Sequence, residues 1–355
     1  MTAPRPYRIA LLPGDGIGLE VAPAAARTID VLAERHGFSI AWETHDWGSD
    51  HYRAHGRMMP SDALDTLRTS DAIFLGAVGD PEIPDAETLW GMLIPIRRAF
   101  DQYVNLRPMR CLPGIDPPVR GALGMDVVIV RENVEGEYSE IGGRIYTGTS
   151  REMAMQEAVF TRVGIERVTS FALRLAQQRS GRLVSATKSN GIVHTMPFWD
   201  EVVAQTAQAY PDVTVESHLI DALAAHLVLR PSSFDVIVGS NLFGDILSDL
   251  TAAIAGSIGI APSANLNPER TAPSMFEPVH GTAPDIAGQG KANPIGQMWA
   301  GAMMLEHLGE TTAAAELIAA FEAVLASGSS TADLGGTCST EEFTRLVMER
   351  CRSVA

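Results

Sequence analysis

The chain has 355 residues, more than one typical core holds, so one split domain or two intimately joined ones are expected. Its 46% hydrophobic and 20% charged residues describe an ordinary globular protein, and no run approaches the ~18 consecutive apolar residues of a membrane span. A formal net charge of -16 argues against nucleic-acid binding, which needs clustered Lys and Arg, but leaves anionic substrates open to locally gathered arginines.

Met1 to Tyr7 lacks the apolar core of a signal peptide. Cys111, Cys338 and Cys351 are an odd set without metal-site spacing, which fits a reducing, cytoplasmic setting. Tyr7 to Leu12 then predicts a strand and Glu20 to His36 a helix, joined by Pro13-Gly14-Asp15-Gly16-Ile17-Gly18. That turn lacks the third glycine of a dinucleotide fingerprint, because position 19 is Leu, and it lacks the Gly-Lys-Ser/Thr of a phosphate loop. It reads as a tight strand-to-helix turn. Further strands are expected at 39–44, 72–75, 126–131, 183–186, 213–218 and 234–239. Helices are expected at 60–67, 162–179, 198–210, 217–229 and 298–306. Such alternation means α/β, a largely parallel sheet covered by helices. Glu137 to Thr149 breaks the pattern with Gly- and Tyr-rich alternation, and predicts a β-arm. No polar linker is visible, so two domains are expected to exchange the chain: 1–103 with 256–355, and 104–255.

Candidate chemistry lies at the ends of these strands. Arg97, Arg107 and Arg131 are candidates for binding carboxylates, and Arg131 closes the apolar run Val127 to Val130. Taken singly, each also fits a surface ion pair. Lys188 follows the strand at 183–186, where a lysine can have its pKa lowered and take part in proton transfer. After the strand at 234–239 comes S-N-L-F-G-D-I-L-S-D, Ser240 to Asp249. Helical spacing puts Asp245 and Asp249 at i and i+4 on one face. Such a pair either holds a hard divalent cation or merely complements the helix dipole. Phe276 to Pro294 is a long Gly- and Pro-rich loop of the kind that is usually functional. Its Gly281, Gly288 and Gly290 would let backbone amides approach a phosphate or an adenosine. Its Asp285 could accept both hydroxyls of an adenosine ribose and repel a 2′-phosphate.

Four blocks in this order, R-E-N-V-E-G-E-Y (Arg131 to Tyr138), the Lys188 segment, S-N-L-F-G-D-I-L-S-D and E-P-V-H-G-T-A-P-D-I-A-G (Glu277 to Gly288), resemble the β-decarboxylating dehydrogenases of the isocitrate and 3-isopropylmalate dehydrogenase family. The resemblance runs from Pro13 through Leu305. It implies two α/β domains sharing a central sheet region, an NAD site that is not a Rossmann site, and a β-arm at a dimer interface. It implies that Asp221, Asp245 and Asp249 hold Mn²⁺ or Mg²⁺, with Asp221 and Lys188 reaching across to the partner's site. It assigns Arg97, Arg107 and Arg131 to substrate carboxylates, and Tyr138 and Lys188 to acid/base work assisted by an aspartate. For NAD it points to Gly76, Ala77, Val78, Asn190, Asn241, Glu277, His280, Gly281, Asp285, Ile286 and Asn293. The implied reaction oxidises a 2-hydroxy acid at C2, expels the neighbouring carboxylate as CO₂ and protonates C3.

Family members differ in what hangs from C3. Thr88 to Arg97, T-L-W-G-M-L-I-P-I-R, lies where that group is read. Gly91 and Leu93 replace the Ser and Asn of isocitrate-type members. Leu93 and Ile94 keep an apolar pair, while Trp90 replaces an acid of isopropylmalate-type members and implies a smaller substituent. Asp46 to Asp50, Phe100 to Pro108 and Ile260 to Arg270 are similar to the tartrate and D-malate branch of the family. D-malate and tartrate are therefore favoured over 3-isopropylmalate. A noncatalytic regulatory subunit is the alternative of another class, and the presence of Tyr138, Lys188, Asp221, Asp245 and Asp249 argues against it.

Overall fold

The computed structural model describes residues 6–353; most of Met1 to Tyr7, where a leader core was sought, lies outside them. The strands are β1 (Tyr7–Gly14), β2 (Ile40–Thr44), β3 (Ala72–Ala77), β4 (Val104–Arg110), β5 (Asp126–Glu132), β6 (Gly142–Ile145), β7 (Met153–Gln156), β8 (Arg182–Thr187), β9 (Thr214–Leu219), β10 (Val236–Gly239), β11 (Pro262–Leu266) and β12 (Ser274–Pro278). The helices are α1 (Gly18–His36), α2 (Ser49–His55), α3 (Ala63–Leu67), α4 (Asp85–Thr88), α5 (Ile94–Ala99), α6 (Arg162–Gln178), α7 (Thr195–Ala207), α8 (Ile220–Leu229), α9 (Asn241–Ala255), α10 (Ile295–Leu308), α11 (Thr311–Ala326) and α12 (Thr340–Ser353). A π-turn, Leu89–Leu93, joins α4 to α5.

One sheet of ten strands carries the fold, in the order β2-β1-β3-β12-β11-β4-β5-β10-β8-β9. Its two flanks are parallel, and the only antiparallel pairings among them lie at the middle, β12–β11, β11–β4 and β4–β5. The strand direction therefore reverses across the seam. The chain crosses this seam outward from β3 to β4 and returns from α9 to β11. Apolar residues of both flanks belong to one continuous core, which includes Ile9, Phe74, Ile129, Trp199, Val238 and Phe321.

The expected alternation holds, with shifts at its edges. The helix expected from Ser217 begins at Ile220, because Ser217, His218 and Leu219 still pair with β8. The helix expected at 60–67 shortens to Ala63–Leu67. The strands at the seam, β4, β11 and β12, carry no clean apolar run, since buried polar residues interrupt them. Asn105 donates to Ser263 Oγ at 2.8 Å and to Asn265 Oδ1 at 2.9 Å, so these side chains satisfy one another instead of facing water. The predicted arm is the β6–β7 hairpin, longer than expected because its second strand runs to Gln156. All eight of its strand residues are exposed, and Ile141, Ile145, Tyr146, Met153 and Met155 present apolar side chains to solvent. No helix among the described residues is long and apolar enough to cross a membrane. The three cysteines are unpaired.

Candidate active site

The opening turn is structural. Gly14, at φ 72°, leaves no room for a side chain, since a Cβ there would lie 2.0 Å from the Ala77 carbonyl. Gly16, at φ 54°, faces the Thr282 carbonyl at 2.2 Å in the same way. Asp15 accepts from Ser49 N, Ser49 Oγ and Gly79 N, which ties β1, β3 and α2 together. The turn thereby fixes the Gly76–Val78 strand end beside the Glu277–Gly281 loop.

Between those two segments and α9 lies a cleft of about 230 Å³. Gly76, Ala77, Val78, Leu89, Leu93, Arg97, Arg107, Arg131, Tyr138, Asp245, Glu277, His280 and Gly281 all line it. Asp245 is its hub. Tyr138 Oη donates to Asp245 Oδ2 at 2.9 Å, and Arg107 Nη1 donates to Oδ1 at 3.1 Å. Arg131 also pairs with Oδ1 and lies over the Tyr138 ring, 5.5 Å from its centroid. Asp249 stands one turn on, with its Oδ1 3.6 Å from Arg107. Arg97 is held from behind, donating to Glu277 Oε1 at 2.9 Å.

Local structure explains why these groups stay in place. Ser240 caps α9, its Oγ accepting from Phe243 N at 3.3 Å. Glu137 sets its carboxylate on the same helix start, accepting from Ser240 Oγ at 2.7 Å and Leu242 N at 3.0 Å, where the helix dipole favours an anion. Gly244 lets α9 lie against Arg131, whose Cβ would be 2.5 Å from any Cβ placed there.

The charges adjust to this crowding. Burial alone would raise the Asp245 carboxyl, but Arg131 and Arg107, with the Tyr138 hydroxyl, outweigh it and hold the group below its ordinary value. Asp249 goes the other way: burial raises it, and the nearby Asp245 charge adds to the rise. Burial and the Asp245 carboxylate raise Tyr138, so it keeps its proton at neutral pH. Arg131 is fully enclosed, and burial together with Arg107 lowers it to about 10. Next to it Glu132, unremarked in the sequence, is raised to about 7 by burial although Val134 N and Glu135 N both donate to it.

Lys188 and Asp221 stand apart. Lys188 Nζ donates to Asp221 Oδ1 at 2.6 Å, and that contact lowers the Asp221 carboxyl. Neither residue lines the cleft, and the exposed Asn190 follows Lys188 on the same loop. No group of three or more metal-ligating side chains occurs among the described residues.

Other expected contacts fall differently. Asn241 commits its amide to the protein, accepting from Arg131 and donating to the Glu135 carbonyl at 3.1 Å. Asn293 accepts from Ile295 N at 3.0 Å and donates to Asp333. Neither lines the cleft. Trp90 is also outside it, lining an open neighbouring pocket with Glu140 and Gln156. The π-turn, with its i→i+5 bonding, sets Leu89 and Leu93 toward the cleft and Trp90 away from it. The long loop is clamped to α1 by an apolar cluster of Ile17, Val21 and Ala292 with Ile286, and Gly288 N donates to Glu20 at 2.6 Å. Asp285 is left exposed on it.

Residues 8–347 match the model of a family described as isocitrate/isopropylmalate dehydrogenase. The chain belongs to that family. Among its relatives, a probable tartrate dehydrogenase/decarboxylase of Agrobacterium vitis is 52% identical, over 99% of this chain and 98% of its own. The D-malate dehydrogenase (decarboxylating) of Escherichia coli strain K12 is 52% identical, over 94% of this chain and 96% of its own. A crystal structure of isocitrate dehydrogenase from Methylococcus capsulatus superposes with a TM-score of 0.90 at 34% identity, covering 98% of this chain and all of that one. The reversed seam and ten-stranded sheet are thus this family's fold. Within it, Leu89, Ser248 and Glu137 escaped sequence reasoning. Ser248, which accepts from Arg107 at 2.6 Å, lies between the two aspartates and carried no signal of its own.

Proposed function

We propose that this family member is an NAD-dependent decarboxylating dehydrogenase acting on a small 2-hydroxy dicarboxylate, converting D-malate to pyruvate and CO₂ and also acting on tartrate. What carries the proposal is the meeting of Arg107, Arg131, Tyr138 and Asp245 in one cleft, in a chain whose full-length relatives bear the names tartrate and D-malate dehydrogenase. Two carboxylates one turn apart are an oxygen donor set suited to a hard cation, and Asp245 and Asp249 would hold Mn²⁺ or Mg²⁺. A bound cation would polarise the 2-hydroxyl as a Lewis acid, and a bound NAD⁺ would take hydride from C2. Gly76 to Val78, the Glu277–Gly281 segment and the exposed Asp285 would receive that dinucleotide.

The chain's own residues do the rest. Arg107 and Arg131 offer planar forks to the substrate carboxylates, and Glu277 keeps Arg97 aimed at the same space. Tyr138, kept protonated by burial and Asp245, donates its proton to C3 once CO₂ has left. Lys188, as the neutral amine, is the base that takes the 2-hydroxyl proton, and Asp221, 2.6 Å from its Nζ, orients it. Since that pair lies outside the chain's own cleft, we propose a homodimer in the cytoplasm in which each subunit supplies Lys188 and Asp221 to the other. The exposed apolar arm and the helix end at Val228 and Leu229 would be covered in it. The two lobes, 1–103 with 256–355 and 104–255, are part of the same proposal.

A second reading, 3-isopropylmalate, has one observation in its favour: Leu89 and Leu93 offer the cleft an apolar wall. Steady-state rates on D-malate, L-tartrate, meso-tartrate, 3-isopropylmalate and isocitrate, with NAD⁺ and Mn²⁺ or Mg²⁺, decide between them. D-malate or tartrate should lead, and activity should vanish with EDTA. Preference for 3-isopropylmalate would overturn the substrate assignment, and full turnover in EDTA would overturn the metal.

A further inference from the structure

Arg97 and Arg98 are consecutive on α5, so their side chains leave the helix about 100° apart. Arg97 turns inward to Glu277. Arg98 turns toward the segment that carries Tyr138, and the chemistry above makes no use of it. Its Nη2 donates to the Tyr138 carbonyl at 3.0 Å, its Nη1 donates to Glu140 Oε2 at 2.9 Å, and its guanidinium lies 5.0 Å from the centre of the Trp90 ring.

The same segment is anchored on its other side. Glu137 is fixed to the start of α9, and Gln156 Nε2 donates to the Glu137 carbonyl at 2.9 Å. Tyr138 therefore sits between two anchors, one on α9 from its own flank of the seam and one on α5 from the other. We propose that Arg98, braced by Trp90, is a positioning residue that holds the Tyr138 backbone so that its phenol stays on Asp245 and faces the reacting carbon. The inference rests on Tyr138 being the proton donor, as read above, and it gives Trp90 a different task from reading the substrate.

The contacts demand arginine. One planar group donates along two directions while its face covers an indole, which the single ammonium of lysine cannot reproduce. Stability is not what they supply: the Arg98 side chain is 32% exposed and Glu140 69%, and ion pairs so open contribute little. Replacing Arg98 should leave a folded protein with a misplaced tyrosine.

Arg98→Gln, Arg98→Lys and Trp90→Ala test this against the unmodified protein. Hydrogen exchange over 136–142 should quicken in Arg98→Gln without a change in global unfolding. With the best hydroxy acid, kcat should fall by up to about 100-fold, the cost of an ~1 Å misplacement, while KM changes far less. The solvent deuterium isotope effect on kcat should rise as proton delivery becomes limiting, a change that loose packing alone would not produce. Arg98→Lys and Trp90→Ala should fall between Arg98→Gln and wild type. Unchanged exchange over 136–142, or an unchanged kcat and isotope effect in Arg98→Gln, would overturn the assignment. If the unmodified protein turns over no 2-hydroxy dicarboxylate, the proposed reaction fails, and exchange alone still decides whether Arg98 holds the segment.

Discussion

Arg107, Arg131, Tyr138 and Asp245 meet inside one chain's cleft, whereas Lys188 and Asp221 pair with each other away from it. The first set is enclosed and over-determined: Asp245 takes two guanidiniums and a phenol, and Asn241 and Ser248 steady the arginines behind it. The second is one ion pair whose aspartate side chain is 66% exposed, with its partner on a separate loop. Enclosed charges must be paired where they stand, since an unpaired buried charge is costly. An exposed pair carries no such obligation and can be given up to a ligand or a second subunit.

The sharpest way to break this contrast is complementation. Lys188→Met and Asp245→Asn should each lower kcat by roughly 10³-fold, within the range of a lost acid/base or charged group. Mixed under subunit exchange, the two should regain partial activity, because one site in the heterodimer carries neither lesion. Demonstrated heterodimers without recovery would place both residues in the same subunit's site.

Asp285 belongs with the exposed groups, and its effect should be smaller. It should favour NAD⁺ over NADP⁺ by repelling a 2′-phosphate, and Asp285→Ser should narrow that ratio of kcat/KM. Equal use of both cofactors by the unmodified protein would remove Asp285 from that role.

The enclosed side makes a prediction about pH. Burial raises Glu132 from 4.5 to about 7, so the folded carboxyl holds its proton more tightly than the unfolded one. Its contribution to stability is therefore full below pH 4.5 and is lost as pH rises to about 7. Glu132→Gln cannot ionise, so its Tm should gain on wild type across that window. A Tm difference that stays flat with pH would show that Glu132 does not carry the proton. The smallest effect should come from Ser240→Ala, which removes the α9 cap at a cost of about 1 kcal/mol in denaturant unfolding. No loss there would mean that Glu137 alone satisfies the helix start.

By itself the sequence determined the α/β alternation, the arm, and the residues of the cleft that sit in compact motifs. Those signals are local: an apolar run ending in Arg131, a helical spacing that sets Asp245 and Asp249 one turn apart, a tight glycine turn. Only the tertiary structure decided the rest. The seam strands were hidden because Asn105, Ser263 and Asn265 satisfy one another across strands, and no single strand shows why its polar residues are buried. Trp90 was expected to read the substrate, but a π-turn changes which side chains share a face, and that depends on backbone hydrogen bonds. Leu89 takes the cleft in its place. Asn241 is expected beside the cofactor, and what the sequence did not show is that its amide also holds Arg131, 110 positions away. Pairings over such distances are set by packing, which no local pattern records.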